Sequence, residues 1–126
     1  MQNRREGSLS GKIIGCAIEV HRHLGPGLLE SVYEECLCFE LRNAGLIVER
    51  QHQISLRYKE QPLESRLRVD LLVNDDIIVE LKSVKKLEPI HEAQLLTYLK
   101  LANKKYGLLI NFNVQILKQG VKRLAN

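Results

Sequence analysis

Two carboxylates and a lysine interrupt the most apolar part of the sequence, and their types suit divalent-metal chemistry. Asp70, Glu80 and Lys82 lie within "VDLLVNDDIIVELKSV", two apolar runs joined by "NDD". Mg²⁺ prefers oxygen ligands and is often held by one or two carboxylates, with water and substrate phosphate completing its shell. A lysine beside such an ion can orient an attacking water or balance the charge of a phosphate. The three residues are therefore a candidate site for phosphate chemistry.

The numbering of the apolar residues predicts how these two strands pair. Side chains alternate between the faces of a strand. The apolar residues that should share one face all have odd numbers: Leu67, Val69, Leu71, Val73, Ile77, Val79 and Leu81. A three-residue loop at 74–76 keeps both sets on one face, and Asn or Asp tolerates the left-handed conformation that such loops need. The predicted cross-strand pairs are Leu71–Val79, Asp70–Glu80, Val69–Leu81 and Arg68–Lys82.

This register opposes the two carboxylates, Asp70 and Glu80, on the second face of the hairpin. Like charges directly opposite each other are unfavourable in a cross-strand pair, so something positive should lie between them. A divalent metal ion is one solution. The other is a solvated face on which Arg68 and Lys82 pair with the acids. The hairpin alone leaves both readings open.

A glutamine and a tyrosine follow the hairpin on a predicted helix. Pro89 fits the first turn of a helix that should run to about Ala102. Gln94 and Tyr98 are four residues apart and share a helical face with His91. These side chains could bind a nucleotide phosphate or base. Alternatively, Tyr98 belongs to the core of an amphipathic helix and the other two lie at its boundary.

The remaining elements must position these residues. A polar arm, 1–9, precedes a helix that should end at Gly25-Pro26-Gly27, and a second helix is predicted from about 29 to 44. A half-buried strand is predicted at 54–58, before the hairpin. "YGLLINF" reads as a buried strand after the third helix, with "VQILK" and "GVKRL" as edge strands. The order α-α-β-β-β-α-β indicates one α/β or α+β domain, 1–126, with a mixed sheet.

Length, composition and charge are those of an ordinary single domain. The chain has 126 residues, of which 44% are hydrophobic and 27% charged. No apolar run reaches the ~18 residues of a membrane span, and "MQNRREGSLSGK" lacks the apolar stretch of a secretion signal, so we expect a cytoplasmic protein. The net charge of +4 is compatible with a polyanionic partner without identifying one. Three cysteines without C-x-x-C spacing predict free thiols.

The combined motifs resemble a known family. Asp70, then Glu80-x-Lys82, then Gln94-x-x-x-Tyr98, in the order strand, strand, helix, resembles the PD-(D/E)xK nuclease superfamily in its RecB-like branches. More narrowly, "GLLESVYEECL" preceded by "EVHRHLGP" resembles the GxxExxY proteins, and "VDLLV", "IIVELKSV", "HEAQLLTYLK" and "GLLINF" are similar to that family's later blocks. The resemblance covers roughly residues 12–124. It implies a restriction-endonuclease-like αβββαβ core, in which helices flank a mixed central sheet.

The resemblance also implies roles for individual residues. Asp70 and Glu80 would be metal ligands, Lys82 the catalytic lysine, and Glu30 a further acidic ligand from an early helix. The pair formed by Gln94 and Tyr98 matches a Q-x-x-x-Y motif associated with substrate or DNA contacts. Val69 stands where the superfamily's name has a proline, which is not a ligand.

Three of the candidate residues, Glu30, Tyr33 and His91, have alternative readings. Glu30 itself lies near a helix N-terminus, where the helix dipole favours a carboxylate by about 0.3–1 kcal/mol without any metal. Tyr33, one turn further on, could pack beneath the site or hydrogen-bond a ligand. His91 could contact a phosphate or lie at the helix boundary.

These residues predict a nuclease that depends on Mg²⁺ or Mn²⁺ and acts on nucleic acid, with DNA as the expected substrate. The alternative is a nucleic-acid-binding or protein-interaction module that keeps the fold without turnover. A chain of this length could dimerise to present two sites. No membrane partner is expected.

Overall fold

The computed structural model describes the backbone of residues 3–126 and the side chains of residues 9–126. Within that range a five-stranded mixed sheet has the order β1-β2-β3-β4-β5, in which only β3 and β4 run parallel. No helix in this part of the chain is long and apolar enough to cross a membrane. In chain order the elements are α1 (Asn3–Leu24), α2 (Glu30–Asn43), β1 (Val48–Tyr58), β2 (Gln61–Val73), β3 (Ile77–Lys82), α3 (Pro89–Ala102), β4 (Tyr106–Asn111), a 3-10 helix (Leu117–Gly120) and β5 (Val121–Ala125).

Helices cover both faces of the sheet. On one face α1 and α2 pack against alternate residues of the central strands, which include Leu71 and Val79. On the other face α3 packs through Leu95 and Leu99 against residues that include Ile78. Burial on both faces explains why residues 71–73 of β2 and most of β3 read as continuous apolar runs. The predicted α+β class and the αβββαβ order are confirmed.

The helix ends follow the predicted signals except at the N-terminus. Gly25 and Gly45, with φ of +75° and +86°, follow α1 and α2 closely, and Pro89 begins α3. The predicted polar arm is different, because α1 already begins at Asn3 and residues 3–9 are its first turns. Residues 1 and 2 of that arm lie outside the described range.

The hairpin between β2 and β3 has the predicted register near its loop. Leu71 lies opposite Val79, and the loop contains Asn74 and Asp75 in the left-handed conformation, with φ of +53° and +52°. The predicted single apolar face is wrong at Val69, however. Val69 and Leu67 pack beneath α3, whereas Leu71 and Val73 face the opposite core.

The change of face occurs at Asp70. Regular alternation would put residues 69 and 71 on one face, so the backbone of β2 must depart from it at the residue between them. The neighbouring strand is irregular at the same level. Gln51 of β1 has a φ of +51°, and it falls between the Arg50–Leu71 and His52–Val69 pairs.

The segment 114–118, predicted as an edge strand, does not form one. Its carbonyl at Val114 accepts a hydrogen bond from Nε2 of His21 at 2.7 Å, and Leu117 is buried against the α1 side of the core. The chain then turns through the 3-10 helix, where Gly120 approaches the carbonyl oxygen of Asn111 so closely that a Cβ would lie 2.2 Å from it. These tertiary contacts override the strand pattern. The "GVKRL" prediction is confirmed as β5.

Candidate active site

β2 and β3 separate directly after the Leu71–Val79 pair, and two carboxylates lie at this fork. The backbone ladder covers residues 71–73 and 77–79. Beyond it, the backbone N–H of Asp70 donates to Oε2 of Glu80 at 2.8 Å, and the N–H of Leu81 donates to Oδ2 of Asp70 at 2.8 Å. Each carboxylate therefore accepts a hydrogen bond from a backbone N–H of the opposite strand, where a regular ladder would use a carbonyl oxygen. The predicted proximity of Asp70 and Glu80 is confirmed.

The environment of Glu80 disfavours its negative charge. Its side chain is 6% exposed, and burial, followed by the charge of Asp70, raises its pKa to about 8. The N–H of Asp70 and the charge of Lys82 act in the opposite direction, and Glu30 adds a smaller repulsion. Without a cation, the Glu80 carboxyl therefore holds its proton at neutral pH.

A network that the sequence analysis missed supports Asp70 from the α2 side. Nε2 of Gln51 donates to Oε1 of Glu34 at 2.8 Å and to Oδ1 of Asp70 at 3.3 Å. Glu34 is buried and also pairs with Arg50 at 3.1 Å. Glu34 lies four residues after Glu30 on α2, and residues at this spacing share a helical face. This spacing could have placed Glu34 near the candidate site. No pattern in the sequence indicated that Gln51 would contact the site.

Glu30 lies near the fork and ties α2 to the end of β3. Its Oε2 accepts the N–H of Ser83 at 3.3 Å, and the Ser83 hydroxyl donates to the carbonyl of Leu28 at 2.6 Å. The role of Glu30 as a third metal ligand stays a prediction. Among residues 9–126 no three His, Cys, Asp or Glu side chains converge as a set that could hold a metal ion.

Lys82 ends β3 beside a rigidly held loop. It lies opposite Asn111 of β4 and is partly buried. The Asn111 amide accepts the N–H of Val84 and donates to its carbonyl, both at 3.0 Å. These two bonds fix the chain direction immediately after Lys82. Asn111 is thus a buried polar residue with a positioning role that the sequence analysis did not identify.

α3 brings Tyr98 to the carboxylates. Partial burial, then the charges of Glu80 and Asp70, raise the pKa of its phenol. Gln94, one turn earlier, is exposed. His91 is engaged in the helix cap, because its Nδ1 accepts the N–H of Glu88 at 2.9 Å. The structure thus supports the boundary reading of His91 rather than a phosphate contact through that nitrogen.

Tyr33 packs beneath the site and does not face it. Its side chain is fully buried and stacks on Phe112, with ring centroids 4.4 Å apart. Its hydroxyl donates to the carbonyl of Gly25 at 2.5 Å and accepts the N–H of Leu28 at 3.1 Å. This burial agrees with the alternative in which Tyr33 packs beneath the site, and a role in substrate binding stays a prediction. Its hydroxyl fixes the turn that leads into α2.

Comparison with known proteins agrees with this arrangement. A family model described as the PD-(D/E)XK nuclease superfamily matches residues 7–124. No curated protein and no solved structure matches the chain. The narrower likeness to GxxExxY proteins stays a prediction. Because the family model spans nearly the whole sequence, the chain belongs to the PD-(D/E)XK nuclease superfamily.

Proposed function

We propose that the protein is a nuclease that hydrolyses phosphodiester bonds of DNA with Mg²⁺ or Mn²⁺ held by Asp70 and Glu80. The superfamily supports nuclease-type chemistry on a nucleic-acid substrate. The observation that carries the proposal is the fork itself. Two carboxylates meet there in a partly desolvated position, and the charge of Asp70 helps to raise the pKa of Glu80 to about 8.

The donor chemistry of the fork fits a hard divalent cation. Proteins of this superfamily generally use divalent metal ions. Asp70 and Glu80 offer carboxylate oxygens alone, and Mg²⁺ often takes one or two such ligands and fills its shell with water and substrate phosphate. Two protein carboxylates are therefore within the usual ligand number for this ion. A bound ion would supply Lewis-acid polarisation of the phosphate and an activated water.

The remaining residues orient the substrate and balance its charge. Lys82 lies two residues after Glu80 on the same strand, where its ammonium group can stabilise charge that develops on the phosphate. Tyr98 has a hydroxyl close enough to Glu80 and Asp70 for their charges to raise its pKa. Together with the exposed Gln94, it offers hydrogen-bond donors to a substrate strand. Glu30 holds the loop after Lys82 through the N–H of Ser83.

A cleavage panel tests this proposal. Single- and double-stranded DNA and RNA are incubated with wild type in Mg²⁺, in Mn²⁺ and in EDTA. We expect metal-dependent cleavage of DNA. Lys82→Ala should lower the rate by roughly 10²–10³-fold, because a positioned charge acts mainly on the transition state. Lys118→Ala, at an exposed lysine on the 3-10 helix, is the matched control and should keep the wild-type rate.

The same panel distinguishes the alternative of a silent binding module. Absence of wild-type cleavage on every substrate with both metals would overturn the nuclease proposal. In a binding module, Lys82→Ala would remove one phosphate contact and so weaken nucleic-acid affinity. The dependence of the logarithm of the binding constant on the logarithm of the salt concentration would become shallower by about one.

A further inference from the structure

β1 and β2 extend beyond the rest of the sheet as a two-stranded arm, which we define as residues 53–68. β2 is paired with β3 only through residues 71–73, whereas its pairing with β1 continues to Gln61. Most residues of the arm are exposed, and Lys59 and Glu60 form its tip with φ of +49° and +70°. At about 3.3 Å per residue, the eight residues from 61 to 68 reach roughly 25 Å. The arm thus projects from the fork that carries the carboxylates.

Two arginines occupy one side of the arm at its base. Arg68 lies opposite Gln53, and Arg66 lies opposite Ser55. Strand alternation places both arginines on the side away from Leu67, which packs beneath α3. Both are exposed. Within the described residues neither guanidinium has an ion-pair or hydrogen-bond partner, unlike Arg50, which pairs with Glu34.

The charge of the arm favours an anionic ligand near the fork. The arm carries four basic residues and two acidic ones, Glu60 and Glu64. Glu64 lies two residues before Arg66 on the same side and forms no ion pair with it in the described structure. The uncompensated positive charge is therefore concentrated at the base, where Arg68 is two residues from Asp70. Since neighbouring residues on one side of a strand are ~6.6 Å apart, the two arginines can meet separate phosphates.

We propose that the arm binds the phosphate backbone of double-stranded DNA through Arg66 and Arg68 and so directs the duplex to the carboxylates. This inference rests on the proposed function for nucleic acid as the ligand. A two-stranded ribbon has the width that the major groove of B-form DNA admits. The major groove of A-form RNA is too narrow for side chains to read.

The composition of the arm argues against a single-stranded ligand. Proteins that bind single strands without sequence preference combine basic grooves with aromatic side chains on which bases stack. Within residues 53–68 the aromatic residue is Tyr58 alone, which lies at the tip, and the ring of Tyr58 faces the ammonium group of Lys59 at 5.4 Å. The base of the arm, nearest the carboxylates, offers charge without a stacking surface.

Salt-dependent binding tests this inference without requiring turnover. A labelled DNA duplex, its single strand and the matching RNA duplex are titrated in EDTA with wild type and with the double variant Arg66→Gln/Arg68→Gln. The matched control, Lys118→Gln/Arg123→Gln, removes two exposed charges near β5, at the opposite edge of the sheet. The logarithm of the binding constant falls linearly with the logarithm of the salt concentration, and each phosphate contact contributes about 0.9 to that slope. For the DNA duplex, the slope of the arm variant should therefore be shallower than that of wild type by about 2.

The outcomes separate this inference from the proposed function. Weaker DNA-duplex binding in the arm variant but not in the control, with single-strand and RNA affinities changed much less, supports the arm. Equal losses in both variants, equal losses on all three ligands, or no loss would overturn it. Cleavage by wild type together with an unaffected arm variant would leave the nuclease standing without the arm. Arm-dependent binding without cleavage of any substrate would support the arm and overturn the nuclease proposal.

Discussion

The two ends of the β2–β3 pair differ in what satisfies their backbone groups. At residues 71–73 and 77–79 the strands share a regular ladder that is buried on both faces. Just beyond this ladder, the N–H groups of Asp70 and Leu81 donate to carboxylates instead. The apolar end contributes stability, whereas the polar end holds a buried acid whose charge is disfavoured. The comparison indicates that the ladder keeps in place a site that would not assemble by itself.

The largest expected effect follows from the raised pKa of Glu80. Its pKa is about 8 in the folded protein and near 4.5 when unfolded, so the folded state holds a proton that the unfolded state has lost. Its contribution to stability is complete below pH 4.5 and is lost as the pH rises to 8, a change on the order of 5 kcal/mol. Metal-free wild type should therefore lose stability across this range. Glu80→Gln, which can still accept the Asp70 N–H, should not.

Urea unfolding in EDTA at pH 5, 6.5 and 8 measures this difference. The other titratable groups are common to both proteins. The difference between the two proteins in how the free energy of unfolding changes with pH therefore isolates Glu80. Glu80→Gln should exceed wild type in stability at pH 8 while abolishing cleavage. Parallel pH profiles for the two proteins would contradict the assigned environment of Glu80.

The apolar end of the pair should respond to loss of volume rather than to pH. Leu71 is fully buried, and Leu71→Ala should lower the free energy of unfolding by about 2–5 kcal/mol through lost transfer energy and a cavity. Leu63→Ala makes the same chemical change on the arm, where the side chain is exposed, and should stay within ~0.5 kcal/mol of wild type. Similar losses for both variants in urea unfolding would show that the arm is packed and not free.

A smaller effect distinguishes support from substrate contact. Tyr33→Phe removes the hydroxyl that bonds Gly25 and Leu28, and it should lower the free energy of unfolding by about 1 kcal/mol. At a temperature where the variant stays folded, its cleavage rate should equal that of wild type. A large loss of cleavage with unchanged stability would instead place Tyr33 among the substrate-binding residues.

The sequence was informative where a local rule decides the structure. The odd numbering of the apolar residues, with a loop tolerant of left-handed residues, predicted the Leu71–Val79 register. Glycines and Pro89 predicted the helix ends. The change of face at Asp70 could not be foreseen, because it accompanies a positive φ at Gln51, a residue type that gives no such signal.

Tertiary contacts explain the other differences. Tyr33 matched a motif position, but its burial against Phe112 depends on how α2 packs on the sheet. Residues 114–118 have a strand-like pattern, but the hydrogen bond from His21 to Val114 holds this segment against α1. Neither contact is local in sequence. The roles of Asp70, Glu80 and Lys82 remain predictions that rest on their position at the fork.

The central claim is that Asp70 and Glu80 together hold a divalent ion, and thermal unfolding with increasing Mg²⁺ or Mn²⁺ at pH 8 tests it most directly. An ion that binds only the folded state stabilises it by mass action, by about 2.7 kcal/mol at one hundred times its dissociation constant. The melting temperature of wild type should rise by several degrees. The control Asp76→Asn, at an exposed loop position, should behave like wild type, whereas Asp70→Asn should show hardly any rise. Equal shifts in wild type and Asp70→Asn would mean that the ion binds elsewhere and would contradict the account.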